Sequence, residues 1–132
     1  MNSSDRISQL DELLNRRIVI LDGAIGTVIQ SYQLGEADYR GREFADHSKD
    51  VRLNNDLLNI TKPAIIEAIH GQYLEAGADI IETNTFNSNR ISQGEYGLQD
   101  QVRALNLAGA ACARHAAARF QAEHPKIGRA HV

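Results

Sequence analysis

Residues 78–87, Ala-Asp-Ile-Ile-Glu-Thr-Asn-Thr-Phe-Asn, constrain the fold more than any other stretch. A short apolar centre, Ile80 and Ile81, runs out into Glu82, Thr83, Asn84, Thr85 and Asn87, which carry charge or hydrogen-bond. An apolar strand with a polar far end is what a parallel α/β protein shows where a buried strand meets its ligand face. Residues 17–21, Arg-Ile-Val-Ile-Leu, repeat the design and break into Asp22-Gly23-Ala24-Ile25-Gly26-Thr27. Two such strands predict one shared site at their carboxyl ends.

Helical periods fill the space around them. Ile7, Leu10, Leu13 and Leu14 predict an amphipathic helix over residues 4–15, with Ser3 or Ser4 as its N-cap. A helical turn is expected over 27–33. Residues 34–59 are polar, without a clear period and too poor in apolar residues for a core of their own; such a connection is expected to lie over a face of the protein. Thr61-Lys62-Pro63 reads as a helix start, with Thr as cap and Pro in the first turn. Ile65, Ile66, Ile69, Tyr73 and Leu74 form its apolar face, and Gly77 is placed to end it in the left-handed conformation. Residues 87–97 are turn-like with room for a short helix. Leu98, Val102, Leu105, Gly109, Cys112, Ala116 and Phe120 then mark one stripe of a long Ala-rich helix that ends at His124-Pro125, leaving 126–132 as a loop or frayed tail.

Strand–helix–strand–helix order predicts α/β architecture with βα units and a parallel sheet. Two units do not bury a parallel pair on both faces, and a (β/α)8 barrel needs about 250 residues. The 132 residues are therefore expected to be the opening piece of a larger α/β domain rather than a complete one. Lys+Arg 14 against Asp+Glu 17 gives no basic face for nucleic acid. No apolar run approaches the ~18 residues of a membrane span, and the polar N-terminus has no signal-peptide pattern. One cysteine excludes an internal disulfide and fits a cytoplasmic location.

The candidate sites each have a plain structural reading beside them. The 22–27 loop suits close backbone approach to an anion, with Asp22 able to hold an ammonium, but Gly also serves a simple strand-to-helix turn. Glu82 and Asn84 would share one strand face, Thr83 and Thr85 the other. Asn54-Asn55-Asp56 suits either a substrate or an Asx turn. Cys112 and His115 are spaced as two ligands on a helix, yet zinc takes three or four, and Cys112 lies on the apolar stripe as a small core residue. The remaining histidines, His47, His70, His124 and His131, show no ligand spacing.

Leu21-Asp-Gly-Ala-Ile-Gly-Thr-Val-Ile-Gln30, Asp38-Tyr-Arg-Gly41, Asn54-Asn-Asp-Leu-Leu-Asn-Ile-Thr-Lys-Pro63 and Tyr73-Leu-Glu-Ala-Gly-Ala-Asp-Ile-Ile-Glu-Thr-Asn-Thr-Phe-Asn87 resemble the homocysteine S-methyltransferase family. Within it, the 34–59 insertion with Asp38-Tyr39-Arg40-Gly41 is similar to the N-terminal end of the cobalamin-dependent methionine synthases rather than to relatives using betaine or S-methylmethionine. The resemblance, over residues 6–122, implies the first βα units of a (β/α)8 TIM barrel. It implies a zinc-bound homocysteine thiolate taking a methyl group from methylcobalamin, ultimately from 5-methyltetrahydrofolate, to give methionine. It implies as partners homocysteine, the remaining barrel strands, and folate- and cobalamin-binding modules. Asp22, Gly23 and Ala24 are implied to hold the amino acid's amino and carboxylate groups, with Gly26 and Thr27 shaping the turn, and Glu82, Asn84 and Thr85 lining the same pocket. The family's zinc ligands are three cysteines on later strands, and Cys112 matches none of them. No cofactor is therefore expected to bind residues 1–132 alone, which are expected to be inactive. The alternatives are a non-catalytic half-barrel that self-associates and a fragment of a homocysteine methyltransferase using another methyl donor.

Overall fold

In a computed structural model describing residues 2–125, α1 (Ser3–Arg16) precedes an extended segment. Then come α2 (Ile25–Ser31), α3 (Glu36–Arg40), α4 (Leu58–Thr61) entered through a 3-10 turn, α5 (Pro63–Ala76), a second extended segment, α6 (Arg90–Gly94) and α7 (Val102–Glu123). The expected tail over 126–132 lies outside the described residues.

The expected α/β fold, with the first βα units of a TIM barrel, is not formed. Among the described residues there is no sheet, and the two extended segments meet in one parallel bridge, Leu21 with Ile80. The bridge is made by Ile80 N to Ile20 O at 3.2 Å and Asp22 N to Ile80 O at 3.0 Å, and Asp79 N also reaches Ile20 O at 2.8 Å. Side chains then take over from the ladder at both ends. The Asp79 carboxylate accepts the Ile20 N–H at 3.0 Å, and the Asp22 carboxylate accepts the Glu82 N–H at 3.0 Å. Short acidic side chains beside extended backbone compete with ladder bonds for the same donors. Asp79 is further locked by the Arg17 guanidinium through two bonds of 2.6 and 2.7 Å. With no third segment alongside, Ile18 and Ile20 stay 85% and 52% exposed, which a buried parallel sheet does not tolerate.

The helices follow their local signals more closely. α1 starts one residue earlier than its Ser signal: Asn2 is the N-cap, in a capping box with Asp5. Its apolar stripe is only partly covered: Leu10 and Leu13 are half-buried, Ile7 and Leu14 are exposed, and no residue of α1 is fully buried. At α5 the cap expectation fails differently. Thr61 belongs to α4 and donates its hydroxyl to Leu57 O, while Lys62 occupies the N-cap without a side-chain bond. Gly77 ends α5 at φ +113°, as its position required.

α5 and α7 pack together and carry most of the core. Ile66, Ile69, Leu105 and Cys112 join Ile29, Tyr39, Val51, Leu57, Leu58 and Leu98 in one buried cluster. Leu74, Ala78, Ile81, Ala113, Ala116 and Phe120 form a second, with Tyr73 touching both. The polar 34–59 region thus does more than lie over a face, since it supplies Tyr39, Val51, Leu57 and Leu58. Glu36 and Arg40, one helical turn apart, tie it down. The Glu36 carboxylate accepts the N–H groups of Val51 and Arg52, each at 2.7 Å. Arg40 donates to His47 O at 2.6 Å and to Lys49 O at 3.1 Å.

Candidate functional site

The single bridge brings the end of the first extended segment, at Asp22, against the start of the polar 82–88 loop. Asp22 is the hinge of this arrangement. Its Oδ2 accepts from the Glu82 backbone, while Oδ1 is buried without a hydrogen-bond partner. Burial pushes the Asp22 pKa up, the Glu82 N–H pulls it down, and the Glu82 charge adds to the rise. A buried carboxylate oxygen without a donor is costly.

Gly23 and Ala24 are exposed on the loop that follows. A Cβ on Gly23 would come 3.2 Å from the Tyr73 hydroxyl, and that hydroxyl donates to Ala24 O at 3.0 Å. Gly23 thus lets α5 pin the loop. Gly26, in the first turn of α2, faces Asn55 with ordinary spacing, and Thr27 is exposed.

The second half of the site does not alternate as a strand would. Glu82 is exposed while Asn84, two residues on, is buried. The Asn84 side-chain amide donates to Asn55 O at 2.9 Å and to Asn59 Oδ1 at 3.1 Å, and Asn59 returns a 2.7 Å bond to Asn84 O. Asn84 therefore holds the loop to α4. Thr85 N bonds Thr83 O at 2.9 Å in a tight turn, and the two hydroxyls meet at 2.7 Å. The structure thus brings Asp22 and Glu82 together, turns Asn84 inward, and sets the methyl of Thr85 against Gly109 of α7.

The side chains of residues 54–56 reach partners far along the chain. Asn54 and Gln93 exchange amide bonds of 2.9 and 3.0 Å in the interior. Asn55 Oδ1 accepts from the Tyr39 hydroxyl at 3.0 Å. The Asp56 carboxylate, 2% exposed, accepts the Asn87 N–H and the Ser88 hydroxyl. Burial raises the Asp56 pKa against these two bonds. Sequence reasoning missed Ser88 and Gln93 because the partners lie over thirty residues away and neither residue belongs to a motif. The Asn-rich triplet was the only visible signal.

The homocysteine S-methyltransferase family profile matches residues 19–130, which include every residue of this site. The chain belongs to the homocysteine S-methyltransferase family. The homocysteine methyltransferase MmuM from Escherichia coli, in its oxidized form, is similar over 92% of this chain at 26% identity with a TM-score of 0.71. Its metallated form is similar over 91% at 25% identity with a TM-score of 0.70. The chain spans 38% of the length of either solved homocysteine methyltransferase. Among the described residues, no helix of this family member is long and apolar enough to cross a membrane.

Proposed function

We propose that residues 1–132 are the N-terminal portion of a homocysteine-binding domain and hold the amino-acid end of homocysteine for methyl transfer. Asp22 carries the reading. Its buried Oδ1 has no partner, and burial pushes its pKa up. The ammonium group of an amino acid offers both the donor and the positive charge that this oxygen lacks. The exposed backbone at Gly23 and Ala24 borders the same spot and suits the amino acid's carboxylate. Glu82 and Thr85 stand at the rim, and Asn84 keeps the rim in place from behind.

In the reaction, the homocysteine sulfur supplies the electron pair for the new S–CH3 bond, the methyl group leaves its donor, and the thiol proton is lost. Zinc supplies a lowered thiol pKa when bound in this family. The side chains present do not fit that zinc. Cys112 is the chain's single cysteine, its thiol is pushed up to about 11 by burial, and its Sγ lies against Asn59 O at 3.8 Å. A zinc-bound thiolate needs the opposite environment, so no step is assigned to zinc here. The donor reading, methylcobalamin charged by methyltetrahydrofolate with cobalamin- and folate-binding modules as partners, rests on Asp38-Tyr39-Arg40-Gly41. Two of these residues shape the local chain path: Asp38 Oδ2 accepts Gly35 N at 2.9 Å, and Gly41 sits at φ +57° where a Cβ would meet Glu43 at 2.6 Å.

NMR titration of the chain with L-homocysteine tests the site. Shifts are expected at residues 22–27 and 82–85, and Asp22→Asn weakens binding by about tenfold or more, as loss of a charged hydrogen-bond partner does. 4-Mercaptobutyrate, which lacks the amine, produces no such shifts. Equal affinity of Asp22→Asn and the parent chain would overturn the assignment. A second reading, a non-catalytic segment that self-associates, draws on the exposure of Ile18 and Ile20. It requires a defined dimer in sedimentation and no homocysteine response.

A further inference from the structure

α5 and α7 run side by side in the same direction. Glu67 meets His115 at 2.9 Å, and further along both helices Glu75 meets His124 at 3.7 Å. The two helices therefore end together, α5 at Ala76 and α7 at Glu123. Helix C-termini present unpaired carbonyls and the negative end of the helix dipole. To this shared negative end the chain adds two carboxylates, Glu75 and Glu123. One ligand atom from each of Glu75, Glu123 and His124 lies within 4.8 Å of the others.

His124 is oriented for more than an ion pair. Its Nδ1 lies 3.0 Å from Phe120 O. A carbonyl only accepts, so Nδ1 carries the proton. The ring is also stacked on Phe120, with centroids 4.1 Å apart and planes 18° apart. Nε2 is thereby turned toward Glu75. An imidazole that donates one nitrogen to a backbone carbonyl and aims the other at carboxylates is set up as a metal ligand. Arg119 lines a hollow of ≈ 120 Å³ together with Glu75, Glu123 and Phe120.

We propose that Glu75, Glu123 and His124 form a binding site for a divalent transition-metal ion such as Zn²⁺, held by two carboxylate oxygens and Nε2 with water completing the shell. The site lies at the far end of the α5–α7 pair from the Asn59–Cys112 contact and does not use the cysteine.

Calorimetric titration of the full chain with Zn²⁺, and NMR with paramagnetic Co²⁺, test it together. One ion per chain is expected, with Co²⁺ perturbing residues 72–77 and 119–125 most strongly. Glu75→Gln and His124→Gln each weaken Zn²⁺ binding by about tenfold or more, while Cys112→Ser and His131→Gln leave it unchanged. Both ligand variants replace partly exposed side chains near helix ends, and matching thermal melts verify that the fold is kept. Absence of binding overturns the proposal. So does binding that survives both ligand variants, or that is lost instead in Cys112→Ser or His131→Gln.

Discussion

His70 lies inside α5 with 0% exposure, and neither ring nitrogen has a hydrogen-bond partner. Burial lowers its pKa, and the nearby charge of Glu67 opposes that only in part. The unfolded chain therefore takes up a proton that the folded chain refuses as pH falls below about 6.5. The stability at stake is present above that value and lost as pH drops toward the folded-state pKa. Asp22 and Asp56 act in the other sense, since their raised pKa values make the folded state hold protons better. Their contribution falls as pH climbs from about 3.9 through the folded-state values. His70→Leu removes the two unbonded nitrogens. It is expected to stabilise the chain by about 1–3 kcal/mol at neutral pH and to flatten the loss on mild acidification, as read from urea midpoints. An unchanged midpoint at both pH values would sink this account. The sequence showed His70 only as a histidine without ligand spacing. Its burial follows from its place one turn after Ile66 and one before Leu74, on the face where a polar residue is not looked for.

Among the elements, α7 depends on a gap in its own stripe. A Cβ on Gly109 would lie 2.6 Å from the Thr85 methyl and 2.9 Å from the Asn59 amide. Both neighbours belong to the packing that holds the 82–88 loop. Gly109→Ala is expected to destabilise by about 1–3 kcal/mol through overpacking, despite the better helix propensity of Ala. Adding Thr85→Ser, which removes the methyl, should restore part of the loss in a double-mutant cycle of thermal melts. Simple additivity would show that the two residues do not meet. The helices were legible because their signals are local: Gly77 after an apolar period, and the stripe from Leu98 to Phe120. The strands were not, because a strand exists only with its partners. Residues 17–21 and 79–85 carry the right side chains, but Asp22 and Asp79 capture the backbone donors that a ladder would use. For the same reason Glu82 and Asn84 ended up on different sides, one exposed and one engaged with Asn59.

At the scale of the whole molecule, the chain is a packed body with a loosely attached first helix. Ile7 and Leu14 of α1 are 62% and 57% exposed, and no residue of α1 is buried. A chain beginning at Arg17 is expected to keep the full α5–α7 core and to unfold within about 1 kcal/mol of the parent, measured by chemical denaturation. A larger loss would mean that α1 contributes contacts its exposure does not suggest. The amphipathic pattern of α1 predicts the helix correctly and gives no sign that half of its apolar face stays exposed, since periodicity reports a face and not what lies against it.

Cys112 makes the molecule its own clock. It is the chain's single thiol, 2% exposed, held up to about 11 by burial and seated among the carbonyls of Asn59 and Pro63. An alkylating reagent reacts with thiolate, not thiol, so labelling waits until α7 lifts away from α4 and the start of α5. Each tagged molecule then records one opening event, with no second cysteine to confuse the mass. At high reagent the tagging rate levels off at the rate of helix separation. Its response to urea sorts small excursions, which barely change with denaturant, from complete unfolding, which does.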